Sequence, residues 1–225
     1  MNYDKFITDP MPKYSKGEEI FNFVTHLIGA VIATLILIYV IIKGFKNEIS
    51  FKEYFSASIF AVSAIIVYLV STLYHALHPT FITKRLLRII DHCDIYLLIA
   101  GTYMPVCLIA LNGTIWCYII LSLEWLMAIG GIIMNAIDLN NKAIKIISMI
   151  FYIVGGWIVV FFPPAIKYIN KDVFLFILFG GISYTVGSIL YGIGSKRKWF
   201  HSIFHLFCLL GTILQGIGII LLINK

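Results

Sequence analysis

His201 and His205 stand four residues apart in an apolar run. On a helix they project from one face, about one turn apart. Two imidazoles at that spacing can bind one metal ion. His75, four residues after Ser71 in another apolar run, is the best candidate for a third. Three histidines with a water in the remaining position make the tetrahedral pattern of catalytic zinc, which lowers the pKa of its water to about 7. Asp91 opens a further apolar run and is suited to take a proton from that water, or to hold it by a hydrogen bond. Ser71 is suited to orient the water or an oxyanion. Plainer readings stand beside these. A histidine at a helix end can simply face headgroups, and His78, against Pro79, reads as interfacial. His92 is about 100° round a helix from Asp91 and reads as pointing away from the site. Asp94 reads as a solvated cap or an ion-pair partner of the neighbouring basic loop. Glu124, in the middle of a run, needs a hydrogen-bond partner or a proton.

The elements that carry these residues are membrane spans. Hydrophobic residues make up 60% of the 225 and charged residues 12%, with a mean hydropathy of +0.96. A soluble domain carries about 25% charged residues, so most of this surface does not face water. The same composition excludes disorder. Seven runs are long enough to cross a bilayer: about 20–42, 54–77, 89–111, 114–134, 144–162, 173–193 and 199–223. The expectation is an all-α, seven-helix membrane bundle over residues 19–225, behind a cytoplasmic tail of residues 1–18. The gaps are short, and Leu111–Gly113 is barely a turn. Glycine pairs such as Gly155–Gly156 and Gly180–Gly181 suit close helix packing. The first eighteen residues are polar and do not read as a cleaved signal peptide.

Eleven Lys and Arg residues fall on the side of the N-terminus and six on the other, so the positive-inside rule puts the N-terminus in the cytoplasm and the C-terminus outside. In that topology all six histidines lie near the cytoplasmic ends of four spans. Ionisable residues inside spans are costly, and so many at one depth point to function. The net charge of +6 is scattered through loops, with no basic stripe to suggest nucleic acid. Cys93, Cys107, Cys117 and Cys208 lack metal-ligand spacing and read as buried thiols, although Cys107 and Cys117 flank one tight turn.

Four motifs in order resemble the hemolysin III family, the bacterial branch of the superfamily of progestin and adipoQ (adiponectin) receptors. They are Glu19-x-x-Asn22-x-x-Thr25-His26, Ser71-x-x-x-His75, Asp91 in DHCDIYLLIAGTYMP, and His201-x-x-x-His205; Tyr184, Gly187 and Tyr191 also fit. The resemblance runs from about Glu18 to the C-terminus. It implies zinc held by His75, His201 and His205, with Asp91 holding or activating the zinc-bound water and Ser71 beside it. It implies a supporting shell of Glu19, Asn22, Thr25 and His26, in which Asn22 and Thr25 bond backbone or neighbouring groups. It also links the chain to membrane hydrolases that include alkaline ceramidases, and so to a lipid amide. Many bacterial members carry a further histidine where this chain has Gln215, about 15 Å deeper by helical rise.

The expected function is an integral membrane protein of the cell membrane whose intramembrane zinc site hydrolyses a lipid amide or ester and affects membrane homeostasis. Alternatives are a membrane-state sensor with structural zinc, a cytolysin or channel, and a bis-histidine haem protein. A channel requires a sustained polar stripe that the helices lack. Membrane lipids are the expected partners, with no role for nucleic acid.

Overall fold

The computed structural model describes residues 3–8, 10–194 and 197–224. Lys196 and Lys225, counted above for orientation, lie outside the described residues, as does the side chain of Lys5. The described chain is all helical, without a strand. The helices are α1 (Tyr3–Thr8), α2 (Lys16–Phe45), α3 (Phe51–Ala76), α4 (Ile82–Pro105), α5 (Ile115–Asp138), α6 (Lys142–Gly156), α7 (Pro163–Ile166), α8 (Lys171–Gly194) and α9 (Phe200–Ile223).

Local chemistry sets the boundaries. Both α2 and α3 start with a capping box: Ser15 with Glu18, and Ser50 with Glu53. Each pair satisfies two backbone donors that a helix start leaves open. Asn141 caps α6 by accepting from the N–H groups of Ala143 and Ile144. Pro105 lacks an N–H, and the chain beyond it runs on as one π-helical turn, Val106–Ala110. The following turn closes at Gly113, whose φ of 77° suits glycine.

Six helices are long and apolar enough to cross a membrane among the described residues: α2, α3, α4 with its π turn, α5, α8 and α9. Their outward faces carry large apolar side chains such as Leu35, Leu126 and Ile133, each more than half exposed. This is the surface of a multi-pass membrane protein, with lipid as its solvent. The run expected as a fifth span, residues 144–162, is not one continuous α-helix. It is the 15-residue α6, a 3₁₀ turn over Ile158–Phe161, and the short α7. Gly155 and Gly156 weaken the helix, and Phe162 is pushed out of the helical region by Pro163.

From α2 to α6 consecutive helices pack on one another, α8 packs on α9, and α9 packs on α2. Small residues allow the closest approaches. Gly29 of α2 lies against the Tyr68 ring of α3, where a methyl group would clash. The main core is a slab of small and aliphatic residues from α2, α3 and α9, including Ala33, Val40, Ala57, Phe60 and Ile219. All four cysteines are free thiols, Cys107 and Cys117 included.

Candidate metal centre

One end of the bundle brings together the start of α2, the end of α3, the start of α4 and the start of α9. There His75, His201 and His205 each offer a ring nitrogen, and these atoms lie within 4.8 Å of one another. The Nε2 atoms of His201 and His205 are 3.0 Å apart. Two nitrogens on one tetrahedral zinc stand about 3.4 Å apart, given Zn–N bonds of about 2.0–2.1 Å. His75 places Nδ1 2.6 Å from Glu19 Oε2. The carboxylate fixes the proton on Nδ1 and leaves the lone pair on Nε2, as second-layer carboxylates do for metal-bound histidines. Nε2 of His75 is buried and has no hydrogen-bond partner. An orphaned acceptor facing two imidazoles suits a cation, and the all-nitrogen donor set suits zinc.

The other two rings are held by stacking. His26 stacks on His205 with centroids 3.7 Å apart, and Tyr14 stacks on His201 at 4.8 Å. Glu19 is itself anchored, since Lys84 Nζ donates to its Oε1 at 2.7 Å and to the Leu77 carbonyl at 2.8 Å.

The haemolysin-III related family model matches residues 14–216 of the chain. Hemolysin-3 of Bacillus cereus is 38% identical over 195 residues, covering 87% of each chain. Hemolysin-3 homolog of Bacillus subtilis (strain 168) is 38% identical over 197 residues, covering 87% of this chain and 89% of its own. The chain belongs to the haemolysin-III related family.

In this haemolysin-III member the sequence-singled residues divide by position. Ser71 and Asp91 line one cavity of about 130 Å³ together with His26, His201 and His205. Asp91 lies within electrostatic reach of His75, Ser71 and Arg88. The same cavity continues away from the histidines past Thr102, Trp157, Tyr184 and Gln215, between walls from α4, α6, α8 and α9. Gln215 accepts a hydrogen bond from Thr102 Oγ1 at 3.3 Å. Of the expected shell, Glu19 and His26 touch the triad. Thr25 instead donates to the carbonyls of Phe21 and Asn22 in its own helix, and Asn22 is fully buried with both amide atoms unpartnered.

The remaining expected groups lie apart from the triad. His78 is exposed and bonds Thr80, as an interfacial residue would. His92 reaches the cavity wall, but its nitrogens face the Arg88 carbonyl and the Tyr191 hydroxyl. Asp94 is not solvated: it is 4% exposed and neither oxygen has a partner. Glu124 is buried against the point where α6 breaks, close to Gly155, and its Oε1 has no partner.

Sequence reasoning passed over Tyr14, Tyr74, Lys84 and Arg88 as site residues. Lys84 and Arg88 look like loop charges, and Tyr14 sits in a polar tail. Tyr74 flanks His75 with ring centroids 4.7 Å apart. Tyr14 precedes the first span. Burial, with added repulsion from Tyr74, Tyr191 and Asp91, pushes its phenol well above the ordinary range, so it stays a neutral donor.

Proposed function

We propose that this protein is a zinc-dependent membrane hydrolase that cleaves a lipid amide or ester. The observation that supports it most is the placement of three convergent imidazoles beside Asp91 and Ser71, at one end of a largely apolar cavity. Zinc held by His75, His201 and His205 would supply Lewis acidity, polarising a carbonyl and acidifying a water. Asp91 takes the proton of the attacking water on its carboxylate and returns it to the departing nitrogen or oxygen as the C–N or C–O bond breaks. Ser71 donates a hydrogen bond to the carbonyl oxygen as negative charge grows there. Glu19 keeps His75 in the ligating tautomer, and Lys84 holds Glu19 in place. The apolar walls from α6 and α8 hold the acyl chain and keep bulk water away.

Asp91 does not belong to the group of atoms within mutual ligand distance. That favours an open fourth position over a closed structural site, and so a hydrolase over a sensor with structural zinc. The cavity is walled mainly by apolar side chains, which favours a lipid tail over an aqueous channel. The name of the Bacillus relatives describes those proteins; for this chain the cavity chemistry supports hydrolysis as the direct activity, with an effect on membrane homeostasis following from it.

The topology belongs to the same reading. The 15-residue α6 and the four-residue 3₁₀ turn after it rise about 30 Å together, enough to cross the hydrocarbon core. That makes seven crossings in the cell membrane, with the N-terminus and the histidine end cytoplasmic and the C-terminus outside. The test is turnover of a panel of ceramides and acyl esters by protein purified in a neutral detergent. Asp91→Asn is expected to lower turnover by about 10²–10⁴-fold while zinc stays bound. Unchanged turnover in that variant would sink the mechanism.

A further inference from the structure

Arg88 is 9% exposed, yet it has no ion-pair partner within 4 Å among the described residues. One terminal nitrogen donates to Asn140 Oδ1 at 3.0 Å, and Nε is buried with no partner. A largely buried guanidinium with one neutral acceptor carries a desolvation cost that Asp91, within electrostatic reach but not in ion-pair contact, offsets only in part. Lys84, one turn earlier on α4, differs: its ammonium is matched by Glu19.

Three phenols lie near the same guanidinium. Tyr14, Tyr74 and Tyr191 lie within electrostatic reach of one another and of Arg88 and Asp91. Each is tied to the triad. Tyr14 stacks on His201, Tyr74 flanks His75, and the Tyr191 ring is 5.7 Å from His201. The Tyr74 hydroxyl is buried and has no hydrogen-bond partner. Thus Arg88, the Glu19-paired Lys84, whose ammonium lies 5.0 Å from the Tyr74 ring centroid, and several phenols meet beside the triad, where the polar end of a bound amphiphile would emerge. Tyr14 stands between two segments with fixed contacts. On one side Arg85 donates to the Phe6 carbonyl of α1 at 3.2 Å; on the other the Glu18 carboxylate accepts from the Trp199 N–H at 2.7 Å.

We propose that this space is a headgroup subsite that takes an oxyanion, phosphate or carboxylate, with Arg88 as its cation and Tyr14 and Tyr74 as hydrogen-bond donors. The guanidinium fork matches the geometry of both anions, and buried phenols complete their coordination. The assignment rests on the hydrolase reading above and narrows its substrate class to amphiphiles with an anionic head. Asp91 faces the reacting carbonyl and the subsite faces the head, so the two carry different parts of one ligand.

The test is a binding measurement and needs no turnover. The full protein, in neutral detergent and in both chelator-treated and zinc-loaded form, is titrated calorimetrically with dihexanoyl phosphatidate, with dihexanoyl glycerol and with inorganic phosphate. The phosphatidate is expected to bind about tenfold or more tightly than the uncharged lipid in both forms, the size of one charge-assisted hydrogen-bonded contact. Arg88→Gln is expected to abolish that preference and leave the affinity for dihexanoyl glycerol unchanged. Arg88→Lys, with an unaltered unfolding transition, is expected to keep part of it. Displacement of the phosphatidate by inorganic phosphate would identify the free anion as sufficient. A preference that phosphate cannot displace would identify the lipid headgroup as the ligand. Equal affinity for the two lipids, or a preference that survives Arg88→Gln, overturns the proposal. Failure of the zinc mechanism alone would leave the charge preference intact, so the two failures are distinguishable.

Discussion

The two sides of the bundle are packed differently. In the apolar stretches of α3 and α4, 56% of residues are buried inside the protein, against 28% in α5 and in α8. The tight side carries His75, Ser71 and Asp91, and the start of α9 adds His201 and His205. The loose side includes the broken α6 and supplies the outer walls of the cavity. The groups proposed to hold a metal sit on helices locked by neighbours, whereas the wall facing lipid is left less constrained. The difference follows from residue type. Ala57, Ala61 and Ala64 let α3 sit close to its neighbours, while Gly155–Gly156 and Pro163–Pro164 prevent the run through α6 from forming one stiff rod.

This contrast can be broken at several points. Removing a ligand on the tight side has the largest expected effect: His201→Ala should weaken zinc binding by more than about 100-fold in a competition titration against a chelator, exceeding the range for second-layer changes. Glu19→Gln leaves every ligand in place but replaces the carboxylate facing His75 Nδ1 with a neutral amide; its expected loss is about 10–100-fold in the same titration. An affinity unchanged from the parent would mean that Glu19 serves only Lys84. The smallest effects sharpen the packing contrast itself. A methyl group on Gly29 would meet the Tyr68 ring, so Gly29→Ala should destabilise the fold by about 1–3 kcal/mol. A methyl group on Gly181, on the loose side, would meet nothing within 4 Å. Gly181→Ala, in the interior of α8, should therefore leave stability unchanged or raise it by up to about 1 kcal/mol. Unfolding transitions of the two variants, measured side by side, check this. Equal destabilisation would remove the distinction between the two sides.

The spans were legible because apolar length is a strong signal, and the His201/His205 pair because helical spacing fixes which side chains share a face. The placement of His75 and Asp91 beside that pair follows from span order, which puts those helix ends together. What spacing could not show is where long side chains end. Lys84 and Arg88 sit one turn apart on α4, yet one is matched by Glu19 and the other has no acidic partner within 4 Å among the described residues. Tyr14 precedes every apolar run and still stacks on a candidate ligand, because the capping box at Ser15 and the Glu18–Trp199 contact fix the path of the preceding chain. Thr25, next to His26 in sequence but about 100° round the helix, satisfies its hydroxyl within α2, a local choice that sequence leaves open. The break in α6 did have a signal in its paired glycines and prolines, but high hydropathy across the run outweighed it.

The central claim is that His75, His201 and His205 hold one metal ion. Elemental analysis of the intact protein, purified in detergent without chelators, tests it most directly. The account predicts about one zinc per chain, lost in His75→Ala and in His205→Ala while both variants keep the helical content of the parent. An intact protein with no bound metal, or variants that retain it in full, would contradict the account and leave the histidine layer as a hydrogen-bonded network within the bundle.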